Sequence, residues 1–502
     1  MKKWMSLGML LLLILNLCVP VSAEGDASGQ CVWELNGTEL TISGDGMMSD
    51  YEFGCGPWGK EITSVTIEEG VISIGEYAFY GCEALTSVSI PDSVNSIGQN
   101  AFEGCKKLKS VTLPKGVQRL ALRTFAECAA LESVTFPDTL ISIGIAVFDN
   151  CDSLTAVTVP EGVTTIGMGA FNGCSSLKSV TLPDSVRYIG EGAFAETPAR
   201  MDKANRYQGV AYFGNHAIAR IDPDYEDVVI RKGTKSIADC AFRGDYRLRS
   251  IVIPDSVVSI GNYAFSGCGH LPSISIPDSV EYVGFEALSH CNELIDVVLG
   301  NKVSVVKEYL FYKSTALKTV YFSAAVTQVE AYAFYGCTAL TTIHYGGSEA
   351  QKSAIAIADN NTPLDTAAWR YNVTEKPTVT TTAKPTTTTT TTTTTEAVSS
   401  DTDRSTTLSP VGTTLGSGTP TTAMSGGQTA TVDGTQATTS VQGSSAPATT
   451  SVNVTDSAEG ATNGTPDNGG NGGSRGIVIG IGIAVAVTAA AIVLLLMMRK
   501  KK

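Results

Sequence analysis

Apolar positions recur along this chain with two periods. The shorter is two: runs such as Leu85-Thr86-Ser87-Val88-Ser89-Ile90 set aliphatic side chains to one side and Ser or Thr to the other. That alternation predicts short strands buried on one face. Such runs begin at Ile62, Leu85, Leu108, Leu131, Leu154, Leu177, Tyr225, Leu248, Leu271, Leu294, Leu317 and Leu340, and only the Tyr225 copy is irregular. A proline follows most of them, at Pro91, Pro114, Pro137, Pro160, Pro183, Pro254 and Pro277. Lacking an N–H, it ends the strand, and the chain must turn back.

The longer period is 23 residues. Phe79, Phe102, Phe125, Phe148, Phe171 and Phe194 keep it, as do Phe242, Phe265, Phe311 and Phe334, with Leu288 in the missing place. Three residues later stand Cys82, Cys105, Cys128, Cys151, Cys174, Cys268, Cys291 and Cys337. A constant offset over this distance predicts a solenoid of about twelve 23-residue coils. Equivalent strands lie parallel ~4.8 Å apart, forming a sheet roughly 50 Å long with the Phe column inside. No coil buries its face alone, so both ends need covers. At the front, Asn36-Gly37 between two alternating runs predicts a hairpin over the first coil. At the back, residues 346–372 leave the repeat, offer a helix-like segment from Glu349 to Ile355 and include Trp369 and Tyr371.

The 23-residue pattern, the Ala-Phe-x-Gly-Cys turn (Ala101 to Cys105), the Ile-Pro-Asp-Ser-Val-x-x-Ile-Gly run (Ile90 to Gly98) and the leading hairpin resemble the BspA-type leucine-rich repeat proteins of bacterial surfaces. The match spans about residues 31–372. It implies a leucine-rich repeat solenoid with a parallel β-sheet and a role in attachment to proteins, cells or polymers. It implies no particular ligand, since function lives on individual exposed sites.

The flanking segments suggest where such a scaffold works. Lys2 and Lys3 precede an apolar run from Leu7 to Val19 and a Val21-Ser22-Ala23 cleavage pattern, so residues 1–23 read as a signal peptide. Ile477 to Met498 holds no charge and only Thr488 as a polar side chain, enough to cross ~30 Å of hydrocarbon. The basic Arg499 to Lys502 then favours the inner side and places the repeats outside. Between scaffold and anchor, residues 373–475 contain no aromatic or Cys and a threonine run from Thr386 to Thr395. Such a composition builds no core; as a flexible stalk it spans ~55 Å r.m.s.. The expected layout is signal peptide 1–23, hairpin cap 24–60, solenoid 61–345 with an irregular repeat over 195–240, second cap 346–372, stalk 373–475, membrane helix 476–498 and tail 499–502.

Composition narrows the partners. The net charge is −14 at pH 7, and the basic ends carry part of the positive charge, so the exported part is strongly acidic and nucleic acid is a poor partner. An extracellular protein or glycan fits better, with the membrane reached only through the chain's own C-terminal helix. Gly476 and Gly480 supply a GxxxG spacing for weak self-association.

The ladder cysteines read as buried free thiols, because a column of small apolar side chains packs without bridges and Thr197 and Asp245 replace Cys at the same position. Cys31 and Cys55, outside the ladder, are the disulfide candidates. Catalytic signatures are weak. Gly472-x-Ser474-x-Gly476 lies in the stalk with no strand before it. His270, His290, Cys268 and Cys291 stand on adjacent coils without convergent placement, and the post-strand acids (Asp92, Asp138, Glu161, Asp184, Asp255, Asp278) read as solvated turn residues rather than calcium ligands. The expectation is a cell-surface adhesion or macromolecule-binding protein with no catalytic residue, metal or cofactor, the alternatives being a polysaccharide-attachment protein or a structural surface-layer component.

Two features suggest where it binds. The interruption between Phe194 and Phe242 carries Tyr212 and Phe213, read either as a decayed repeat packed as a hairpin or as a protruding element. The outward strand position changes from Thr or Ser in the first six coils to Val298, Tyr321 and His344 near the end. Ligand-binding candidates are therefore Tyr212, Phe213, Val298, Tyr321 and His344, with the convex turns as the alternative surface.

Overall fold

The structure, a computed structural model, describes residues 23–24, 31–52 and 54–377. Residues 1–22 of the expected signal peptide, the segment from 378 onward and the apolar run Ile477 to Met498 lie outside the described residues. Among the described residues no helix is long and apolar enough to cross a membrane.

Strands form at the twelve run positions, from Ser64–Ile67 and Ser87–Ser89 through to Thr342–Tyr345. With a cap strand at each end the chain makes about fourteen turns of parallel β-solenoid. Register follows the repeat: Val65 pairs with Val88, Val111 with Val134 and Val157 with Val180. A second parallel ladder, absent from the sequence reading, runs along the other side of each coil. Ser142–Ile143 pairs with Arg119–Leu120 on one side and Thr165–Ile166 on the other. Its mark in the sequence is the aliphatic residue before the post-strand Gly, as in Ile143-Gly144, and its strands are too short for alternation to show.

Between the ladders lies a core of stacked phenylalanines. Ring centroids of Phe79, Phe102, Phe125, Phe148, Phe171 and Phe194 follow one another at 5.0, 5.2, 5.7, 5.2 and 5.3 Å. The cysteine column beside them obeys one rule. Cys105, Cys128, Cys151 and Cys174 donate S–H to the carbonyls of Phe79, Phe102, Phe125 and Phe148, 26 residues earlier, at 3.1–3.3 Å. Cys268, Cys291 and Cys337 do the same to Phe242, Phe265 and Phe311. Ser314 replaces Cys in one coil and donates to Leu288 at 2.8 Å. Burial pushes these thiols up, to about 12 for Cys174, Cys291 and Cys337, so they stay protonated and inert.

At the front, the hairpin Val32–Asn36 and Glu39–Ser43 turns at Gly37 and lays its second strand parallel on the first coil, Leu40 opposite Val65. Trp58 extends the Phe column: its ring stacks on Phe79 at 5.3 Å and fills the space that a side chain at Gly56 would need. At the back, a helix at Glu349–Ser353, closed by a Ser348/Gln351 capping box, leads to Ala368–Arg370, which pairs parallel with Thr342 to His344.

The interruption is a packed hairpin, Val210–Phe213 and His216–Arg220, whose second strand continues the short ladder by pairing Ala217 with Ile237. Phe213 meets Phe194 edge-on at 4.9 Å. Asp245, at the cysteine position of the next coil, receives Arg220 instead.

Candidate binding surface

The residues singled out on the sheet and in the interruption are largely withdrawn from solvent. Tyr212 and Phe213 are 2% and 1% exposed. The Tyr212 hydroxyl accepts from Arg231 N at 3.2 Å, and the Arg231 guanidinium covers its ring at 4.5 Å. The hairpin packs inward rather than protruding, because Phe213 continues the aromatic column where the repeat lacks its own Phe. Val298 and Tyr321 are buried too, at 3% and 5% exposure. The chain leaving the C-terminal cap folds back past the last coils. Asn372 N donates to Gly347 O at 2.9 Å and Val373 N to Tyr345 O at 3.1 Å, after which Lys376 pairs with Asp278 and lies 5.9 Å from the Tyr321 ring centre. Of the five candidates only His344 keeps partial exposure, between Tyr321 and Arg370 in register. The apolar outward residues of the last coils are therefore packing residues beneath this strap.

Other candidates take separate places. Cys31 donates to Gly46 O at 3.6 Å and Cys55 to Gly56 O at 3.3 Å, both as thiols. His270 pairs with Glu293 at 2.8 Å, while Cys268 and Cys291 point into the core.

A different surface emerges from the turns around the Phe column. In every coil the residue two places before the column position has a left-handed backbone. Asn100, Arg123 and Ala146 have φ of 57°, 52° and 51°, and Gly169 and Gly192 take the same shape. A side chain there costs roughly 1–2 kcal/mol against its backbone preference, which is why Gly and Asn suit it. Yet Tyr77 stands there in the first coil at φ of 55°, and the last coils place Tyr263, Tyr309 and Tyr332 there, at φ of 56°, 57° and 57°. The turn does not need these rings.

The rings of the last coils form a connected ribbon. Tyr263 meets Phe285 at 5.3 Å, Phe285 meets Tyr309 at 5.4 Å, and Tyr309 stacks on Tyr332 at 5.1 Å. Beside this row Tyr312 stacks on Tyr335 at 5.5 Å and carries His290 edge-on at 5.4 Å. The rows join through Tyr309–Tyr312 and Tyr332–Tyr335 at 5.2 and 5.7 Å. All these rings are at least partly open to solvent, with His290 and Tyr335 exposed and Tyr335 at 44%. Arg243 lies over Tyr263 at 4.9 Å and closes the ribbon on the side of the interruption.

The ribbon carries charges of both signs, with Arg243 over Tyr263, Lys313 Nζ 4.9 Å from the Tyr312 ring centre, and three glutamates among the rings. Glu286 occupies the left-handed position between Tyr263 and Tyr309, and Glu308 and Glu330 follow. Burial holds the Glu308 carboxyl above its ordinary range, and the charges of Glu330 and Glu286 push it further. Lys307 pairs with Glu330 at 2.9 Å. At the other end of the solenoid the same turn surface forms a groove of about 630 Å³ around Lys60, Tyr80, Glu83, Glu103 and Lys106. Its charges pair among themselves, Lys106 with Glu83 and Arg123 with Glu103, both at 2.8 Å. The ribbon shows in the sequence as Tyr309-x-Phe311-Tyr312 and Tyr332-x-Phe334-Tyr335, a pattern that Tyr77-x-Phe79-Tyr80 shares in the first coil. What hides it is that the same residues read equally well as ordinary column flanks until the left-handed backbone is seen.

A family model described as "BspA type Leucine rich repeat region" matches this chain in six copies over residues 58–154, 105–222 and 222–341. Among solved structures, a leucine-rich repeat protein from Bacteroides ovatus is 24% identical, covering 68% of this chain and 98% of its own, with a TM-score of 0.29. A leucine-rich repeat protein from Eubacterium ventriosum is 23% identical over 72% of this chain and 97% of its own, TM-score 0.32. A leucine rich cell surface protein from Faecalibacterium prausnitzii is 25% identical over 67% of this chain and 98% of its own, TM-score 0.26. With TM-scores this low, the family match is the finding that carries weight. No curated protein matches the chain.

Proposed function

The chain belongs to the BspA-type leucine-rich repeat family, and from that premise we propose that it is a surface-displayed adhesion protein that binds an extracellular protein through the tyrosine ribbon of its last coils. The observation that carries this reading is the connected array of Tyr309, Tyr312, Tyr332 and Tyr335, two of them held at left-handed positions where glycine serves the turn better. Side chains kept against backbone preference point to a use beyond the fold. Tyrosines in rigid array offer large amphipathic contact area at low entropic cost.

Two features favour a protein partner over a glycan. The ring pairs stack face to face, Tyr309 on Tyr332 at 7° and Tyr312 on Tyr335 at 15°, so edges and hydroxyls are presented more than the open faces on which sugars stack. The carboxylates of Glu286 and Glu308 suit a partner with Lys or Arg beside its apolar contacts. We place the repeats outside the cell on the threonine-rich stalk of residues 373–475, anchored by Ile477 to Met498, and assign the chain no catalytic role.

The test compares soluble residues 24–377 with the Tyr309→Gly/Tyr332→Gly variant on arrays of extracellular proteins and of glycans. Glycine suits both backbones, so the variant removes rings while the turns relax. A protein ligand should bind the variant at least ~5-fold more weakly, with Ala146→Gly as the matched control in the same column. Undiminished binding, or a glycan as the ligand lost, overturns the proposal. For the anchor, deleting Ile477 through Lys502 should release the protein into the medium, and antibody to the repeats should label intact cells.

A further inference from the structure

One member of the cysteine column departs from its rule. The offset of 26 residues that sends Cys105 to Phe79 O assigns Cys82 to Gly56 O. Gly56 holds the Phe place one coil before Phe79, for its N–H donates to Ala78 O as that of Phe79 donates to Ala101 O. The oxygen is already taken. Cys55 Sγ lies 3.3 Å from Gly56 O, and Cys82 Sγ is displaced to Gly59 O at 3.8 Å. Both carbonyls belong to a single turn, closed by Gly59 N to Gly56 O at 3.4 Å, so the two thiols are held against the same turn.

The backbone shows that this placement is not incidental. Cys55 has φ of +88°, a left-handed value that residues with a side chain avoid. Capping the first coil does not require sulfur there, since the Trp58 ring already covers Phe79. Cys55 is half-buried at the edge of the cap, while Cys82 is enclosed, so one thiol is reachable from solvent and the other lies directly behind it.

We propose that Cys55 and Cys82 are joined by a disulfide in the exported protein, stapling the N-terminal cap to the first coil while the rest of the column stays as thiols. The oxidant is the disulfide of an exported thiol oxidoreductase. The Cys55 thiolate attacks one sulfur of that disulfide, forming a mixed disulfide and expelling the other oxidoreductase sulfur as a thiolate. Cys82 then gives up its proton and attacks the Cys55 sulfur. The Cys55–Cys82 bond forms, the mixed disulfide breaks, and the oxidoreductase leaves as a dithiol, having taken two electrons and two protons. The roles follow from the surroundings. The neighbouring Cys82 thiol, with Lys60 and a Gly59 backbone bond adding, lowers the Cys55 thiol despite partial burial. The Cys55 thiol in turn, reinforced by burial, pushes Cys82 up. From Cys105 onward the described ladder thiols are enclosed and occupied by carbonyls, out of an oxidoreductase's reach.

The test uses the full chain from a cell that exports it, alkylated in denaturant without reductant and mapped by mass spectrometry. A peptide pair linked through Cys55 and Cys82 is expected, with two fewer alkyl groups taken up than by a sample reduced first. Cys55→Ser should abolish the linked pair and raise the rate of proteolytic cleavage in the cap hairpin several-fold, matching reduced wild type. Cys55→Ala, which leaves no side-chain donor beside Gly56 O and so frees it for Cys82 under the ladder rule, should behave the same way and guards against misfolding. Cys55 and Cys82 both alkylated before reduction, or Cys55 linked to Cys31, overturns the proposal.

Discussion

Arg220 Nε donates to an Asp245 carboxylate oxygen at 2.9 Å, with the two side chains only 7% and 5% exposed. Arg220 also donates to Gln208 O at 2.9 Å and to Tyr225 O, so one guanidinium ties the hairpin, the following loop and the resumed repeat together. Removing one partner of such a pair strands a buried charge. Arg220→Met should therefore cost about 3–5 kcal/mol in chemical denaturation of residues 24–377. Adding Asp245→Cys, which returns the column to its usual residue, should recover most of that loss; no recovery would mean that Arg220 acts through the loop carbonyls instead.

Phe148 is fully buried, with neighbouring rings at 5.7 and 5.2 Å. Phe148→Ala should cost about 3–5 kcal/mol through lost burial and the cavity left behind. A loss below about 0.5 kcal/mol would show that the column contributes little to cohesion.

The fold was legible because its signals repeat. The Val column, the proline stops and the Phe and Cys offsets each recur at the same spacing, so any one coil is read from all the others. The surroundings of the candidate site residues were not legible for the same reason. Tyr321 stands in a strand position whose equivalents Thr66 and Thr135 face solvent, and periodicity alone extends that exposure to it. The cover comes from residues 372–376, a non-repeating segment that returns across three coils, and no local pattern announces such a return. The hairpin was foreseen as one of two readings; its inward Tyr212 and Phe213 reflect the gap left in the Phe column by the lost repeat.

Tyr321 is thus expected to matter for stability. Tyr321→Ala should cost about 2–4 kcal/mol while leaving ligand binding within twofold of Thr135→Ala, its exposed counterpart. A selective loss of binding without loss of stability would return the site to the sheet.

Asp239 accepts from the Tyr188 hydroxyl at 2.6 Å and from Asn262 N at 2.7 Å, and burial nevertheless pushes its carboxyl up to about 6. Because it binds its proton more readily when folded, its contribution is complete below about pH 4 and is lost as pH climbs through about 6. His216 works in the opposite direction. Burial lowers its pKa, so falling pH below about 6.5 removes stability there. Comparing wild type with Asp239→Asn isolates the carboxyl. Their stability difference should move in favour of wild type by up to about 3 kcal/mol between pH 7 and pH 4, and a flat difference would place Asp239 in solvent contact.

Every bond that closes a coil reaches a neighbour at a fixed count along the chain, as the 26-residue thiol contacts and the 23-residue strand register show. A solenoid wired this way changes length only in whole steps. Excising 23 residues from its middle brings together the same donors and acceptors, so the stack heals with one coil fewer. Excising 22 leaves one coil of 24 residues at the join, where the phenylalanine and the thiol miss their partners across the seam while the coils on either side keep their own register. Unequal crossing-over between repeats can therefore lengthen or shorten this molecule freely, with the hairpin at Val210–Arg220 and the two caps as the parts that resist such copying.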